Sequence, residues 1–168
     1  MLVDATGTLR ATRMLERAVA TNPITSTVVR LLNLGDAAPG DDIHSAGPPI
    51  HLLRTVIHHC SQLTAVTCWR MSIEIFLLLA SVNGQSLLQL AIPRVCKEEP
   101  RSERVVVRLH SLRRLWIGSS SDYKVSASDW SSVVIHTPSL LELELLEDGL
   151  TVASLLPSLI RGRYVLRC

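Results

Sequence analysis

The chain has 168 residues, 47% of them hydrophobic, which suits one domain with a real core and excludes a disordered tail. Only six residues are aromatic, so Leu, Val and Ile must supply the bulk of that core. Net charge is +2, with fifteen Arg and two Lys scattered along the chain, too weak a balance to argue for nucleic acid.

The amino terminus, MLVDATGTLRATRMLERAV, has no apolar run ahead of a cleavage site, so it is no secretory signal. Asp4 and Glu16 argue against a mitochondrial presequence. Ala11, Met14, Leu15, Ala18 and Val19 follow helical spacing, and Pro23 lies just past the end of that helix. Residues 35–47 (GDAAPGDDIHSAG) read as a long exposed loop. After Pro48-Pro49, the residues Leu53, Val56, Ile57 and Cys60 repeat the helical spacing. Ser72 caps a third helix through Leu79 and Ala80, with Gly84 as its stop. Its apolar run, Ile75 to Val82, is far below the roughly 20 residues that cross a membrane. The segment KEEPRSER is polar and Pro-broken, and Val105-Val106-Val107 favours extended structure, so no helix is expected there. Asp129 is expected to cap a short turn carrying Trp130, Val133 and Val134. Thr151 is expected to start another, with Val152, Leu155, Leu156 and Leu159 on one side.

Between these segments a motif recurs. Ser139-Leu-Leu-Glu-Leu-Glu-Leu145 has the form S-L-x-x-L-x-L, as do Ser111-Leu-Arg-Arg-Leu-Trp-Ile117 and Ser86-Leu-Leu-Gln-Leu-Ala-Ile92. Gln62-Leu-Thr-Ala-Val-Thr-Cys68 is a looser copy, and Val29-Arg-Leu-Leu-Asn-Leu34 a fifth. The first leucines of the four better copies stand at 63, 87, 112 and 140, separated by 24, 25 and 28 residues. A leucine-rich helical domain with coincidental spacing is the competing reading.

The L-x-L portion puts two apolar side chains on one face of a strand, and the earlier leucine closes the corner leading into it. One such unit cannot bury its apolar face, whereas stacked units can. Parallel strands need a crossover, and each period leaves room for one helix or turn. The expectation is an α/β fold: an irregular leucine-rich-repeat-like solenoid, with a parallel sheet on one face and helices or turns on the other. Residues 1–168 form a single array in this reading, with 1–24 as an amino-terminal capping helix and 25–168 as about five repeats.

These residues resemble the leucine-rich-repeat region of fungal F-box proteins. LERAVATNPITSTVVRLLNL is similar to the helix, "NP" and strand that open the family's array, and HTPSLLELEL and RLHSLRRLWI to its later units. Two departures stand out. Met71, Val95, Ser120 and Asp148 occupy the positions where regular repeats carry Asn, and no F-box is found. The resemblance implies a protein-interaction module like the substrate-recognition repeats of a ubiquitin-ligase adaptor. The alternative is a truncated structural remnant without a ligase role, and an enzyme of unknown type is a third reading.

No nucleotide-binding or hydrolase motif is present, and no enzyme activity and no cofactor are expected. His58-His59-Cys60 with Cys68 invites a zinc reading. Adjacent histidines on a helix point about 100° apart and seldom share a metal, so burial of the two cysteines is the preferred account. Four cysteines (60, 68, 96, 168) without a CxxC pair fit free thiols in a reducing compartment, cytoplasmic or nuclear. An unknown protein partner is expected on the exposed sheet face, through Trp69, Gln89, Arg114, Trp116, Glu142 and Glu144. Neighbouring strands set Arg114 against Glu142 and Trp116 beside Glu144 in that reading. No nucleic-acid or membrane partner is expected. Self-association is expected through an uncapped carboxy-terminal edge.

Overall fold

Each copy of the motif is extended backbone, because alternating aliphatics fill one side of a pleated strand. A computed structural model describes residues 2–5, 9–37, 50–92, 94–95, 104–117, 133–145 and 165–167. Its elements run β1 (Leu2–Ala5), α1 (Leu9–Thr21), α2 (Pro23–Val28), β2 (Leu31–Ala37), α3 (Ile50–His59), β3 (Ala65–Met71) and α4 (Ile73–Asn83). There follow β4 (Gln89–Ile92), β5 (Arg94–Val95), β6 (Val105–Arg108), β7 (Arg114–Ile117), β8 (Val133–His136), β9 (Glu142–Leu145) and β10 (Val165–Arg167). The main sheet has the order β1-β2-β3-β4-β7-β9-β10, with β5 paired to β3. All of its described pairings are parallel, and so is the separate pair β6-β8. The protein is α/β, built on a mostly parallel sheet.

The register aligns equivalent motif positions. Leu32, Val66, Leu90, Leu115 and Leu143 are successive partners across β2, β3, β4, β7 and β9. All five are buried. Val29, Leu63, Leu87, Leu112 and Leu140 each stand two residues ahead of one of these strands, and all are buried too. Fully burying one such side chain stabilises by about 1.5–3 kcal/mol, so a shared spine of them is the main cohesive feature.

The corners between spine and strand are fixed by hydrogen bonds. The Arg30 carbonyl accepts from the Thr64 and Ala65 N–H groups at 2.8 and 3.1 Å. The Thr64 carbonyl accepts from Leu88 and Gln89, that of Leu88 from Arg113 and Arg114, and that of Arg113 from Leu141 and Glu142. Four successive corners therefore share one pattern, in which a single carbonyl accepts two N–H groups of the next unit.

Against the inner side of the sheet lies a second layer, in which α1 packs on α3, α3 on α4, α4 on β6 and β6 on β8. Leu53, Val56, Ile57 and Cys60 of the second predicted helix are all fully buried. Of the predicted stripe in α1, Leu15 and Val19 are buried and Met14 and Ala18 are exposed, while the Ala11 side chain lies outside the described residues. Ser72 caps α4 by accepting the Ile75 N–H at 3.3 Å.

Several elements differ from the expectation. β1 precedes α1 and pairs with β2, extending the sheet by a strand that LVDA, lacking the motif, does not announce. Pro23 follows α1 as expected but also opens α2, where Asn22 Oδ1 accepts the Ile24 N–H at 2.9 Å. The turn expected around Val133 and Val134 is strand β8, because Val-Val-Ile pairs with Val-Val-Val of β6. Gly84 ends α4 in a right-handed conformation, not the left-handed one a terminal glycine commonly takes. Its lack of a side chain matters for another reason: a Cβ there would lie 2.7 Å from the Arg108 carbonyl oxygen of β6. Asp129, Trp130 and the turn expected from Thr151 lie outside the described residues.

Candidate functional site

Strand alternation turns every second side chain of the main sheet away from the core. In register these form two rows. One runs Leu31, Ala65, Gln89, Arg114, Glu142, and the other Asn33, Thr67, Ala91, Trp116, Glu144. Their strands flank a groove of about 330 Å³ lined by Gln89, Arg114, Trp116, Glu142 and Glu144 together with Thr67 and Ala91. Five of the six expected partner residues therefore share one surface. The sixth, Trp69, has its backbone in β3, and its side chain lies outside the described residues. Leu31 and Asn33 extend the rows onto β2. Their signal was the loosest copy of the motif, Val29 to Leu34.

Glu142 and Glu144 differ in their surroundings. Arg114 Nε and Glu142 Oε2 are 2.9 Å apart on facing positions of β7 and β9. Both side chains remain substantially exposed (60% and 38%), so the pair has little net value for stability, about 0–1 kcal/mol. Glu144, beside Trp116, is exposed and makes no ion pair among the described residues. Trp116 is half-buried, and its Nε1 is shielded and has no hydrogen-bond partner among the described residues. A shielded, unsatisfied donor costs about 1–3 kcal/mol.

The helix layer carries a second groove, of about 450 Å³, lined by Arg54, Thr55, His58, His59, Glu74 and Leu78. Arg54 and Glu74 form an exposed ion pair linking α3 to α4. The His58 and His59 rings meet edge to face at 6.1 Å. Among the described residues no group of three or more His, Cys, Asp or Glu is placed to hold a metal. Cys60 and Cys68 are buried and joined in no disulfide, and burial pushes the Cys60 pKa up to about 11. No described helix is long and apolar enough to cross a membrane.

The residue that sequence reasoning missed is Asn83. It is fully buried, and its Oδ1 accepts the Leu63 N–H at 2.9 Å. Nothing in "VNGQS" separates this asparagine from an ordinary turn residue.

Comparison with known proteins finds no matching family model, no similar curated protein and no similar solved structure.

Proposed function

We propose that this chain is a protein-interaction module that holds a partner on the outward face of its parallel sheet. The observation that carries this reading is the convergence of Trp116, Arg114, Glu142, Glu144 and Gln89 on one groove. Trp and Arg are favoured anchors because each buries a large area and directs its donors. The unpartnered Trp116 N–H supports the same reading, since a ring that turns toward a partner's carbonyl gains a hydrogen bond.

The finer architecture, an irregular leucine-rich-repeat-like solenoid, belongs to this proposal and is supported by the aligned spine and the repeated corner. Kinship with the recognition repeats of F-box ubiquitin-ligase adaptors rests on the sequence resemblance alone. The test is affinity capture with the wild-type chain and Trp116→Ala in parallel. A partner kept by the wild type and lost by the variant, with unchanged circular dichroism, is the expected result. Retention of that partner by Trp116→Ala removes this face as the site.

A further inference from the structure

We propose that the chain associates head to tail with further copies of itself, the β10 edge of one copy pairing in parallel with the β1 edge of the next. β1 and β10 stand at the two ends of the main sheet, and among the described residues neither pairs with a strand on its outer side. An open edge presents backbone N–H and C=O groups that another strand can pair. Every described pairing in the main sheet is parallel. A copy added by one more step of the same repeat therefore brings its β1 alongside β10 in the same sense.

The register identifies the occupant. The aliphatic row through Leu90 begins at Val3 and ends at Leu166, so continued pairing sets Leu166 opposite Val3 of the next copy. The row through Gln89 begins at Leu2 and ends at Val165, again two apolar residues. The row through Trp116 begins at Asp4 and ends at Arg167, so the same alignment sets a basic residue opposite an acidic one. Each position of β10 therefore meets a matching residue type in β1. Opposite charges on facing strands attract, and like charges there repel. A two-fold arrangement lacks this match: β10 (VLR) against itself offers Arg167 no acidic residue, and β1 (LVDA) against itself offers Asp4 no basic one. The contact is thus heterologous, and each joined copy leaves one edge of each kind open, so assembly continues past the dimer.

The test is sedimentation of the full chain over a concentration series at low ionic strength, where charge pairing is least screened. The mean mass is expected to climb with concentration through the dimer and beyond it. A mass that stays at the monomer, or that levels off at the dimer, overturns the proposal without recourse to any variant. Asp4→Arg and Arg167→Glu each set like charges at the junction, and each is expected to move association to about tenfold higher concentration. The double variant Asp4→Arg/Arg167→Glu restores opposite charges and is expected to recover the wild-type series. Circular dichroism checks that all three variants keep the wild-type fold. An Asp4→Arg chain that associates as the wild type does, or a double variant no better than the singles, overturns the β1–β10 junction.

Discussion

The Asn83 side chain at the end of α4 accepts the backbone N–H of Leu63, tying one unit's helix terminus to the corner ahead of its own strand β3. The Leu63 N–H is buried and needs an acceptor from the protein itself. Asn83 supplies the acceptor.

Asn83→Leu is expected to destabilise by about 1 kcal/mol or more, since it strands the Leu63 donor in an apolar setting. The same change removes the buried Asn83 Nδ2, which has no partner among the described residues, and that gain offsets part of the loss. Urea unfolding followed by circular dichroism reads the net sign. A variant as stable as the wild type would sink the assigned role.

Gly84→Ala offers a sharper sign test. Alanine is the better helix former by about 1 kcal/mol, and Gly84 has right-handed φ and ψ of −59° and −21°, so propensity alone predicts a gain. A Cβ would lie against the Ala80 carbonyl oxygen of α4 and 2.7 Å from that of Arg108, which predicts a loss of about 1–3 kcal/mol instead, as the added methyl distorts the helix end and pushes β6 away from it. A higher unfolding midpoint for the alanine variant would contradict the packing of β6 against this helix end.

Leu87 and Leu141 share a residue type and differ in place. Leu87 is a fully buried spine residue, while Leu141, just ahead of β9, is 54% exposed. Leu87→Ala is expected to cost about 2–5 kcal/mol, and Leu141→Ala about 0.5 kcal/mol or less. Similar costs for the two, measured by chemical denaturation, would mean that the spine does not carry the core.

The Cys60 thiol gives a pH signature. Its pKa is raised by burial from 9.0 to about 11, so the folded chain holds this proton more tightly than the unfolded chain. The resulting contribution to stability is fully present below pH 9.0 and is lost as pH rises to about 11. Cys60→Val removes it, and the difference in unfolding midpoint between the two proteins should therefore hold steady to pH 9.0 and change above it. A difference independent of pH up to 11 would show that the thiol is not desolvated.

The strands of the motif are legible because a leucine, a gap of two and an aliphatic alternation record both burial and direction. Leu63, Leu87, Leu112 and Leu140 carry that record, and their equivalence follows from the parallel register of the strands they precede. The outward rows are legible for the same reason, since alternation fixes their face once the inward residues are known. What the pattern could not hold is chemistry that depends on distant neighbours. LVDA becomes β1 only because β2 offers an unpaired edge, and Val133 and Val134 form a strand only because β6 lies beside them. Met14 shows the converse: it satisfies the helical period and still faces outward, because the packing of α1 against α3 uses a narrower stripe.

The doubly bonded carbonyls of Arg30, Thr64, Leu88 and Arg113 set different tolerances for length change along the chain. An insertion within a corner such as Leu63 to Ala65 shifts its strand by one place and turns its aliphatic residues outward. Added residues in the stretch from 37 to 50 leave both corners untouched, for the closure cost of a connection grows only slowly with its length. Spacings as unequal as 24 and 28 residues are therefore compatible with strands that still meet rung for rung.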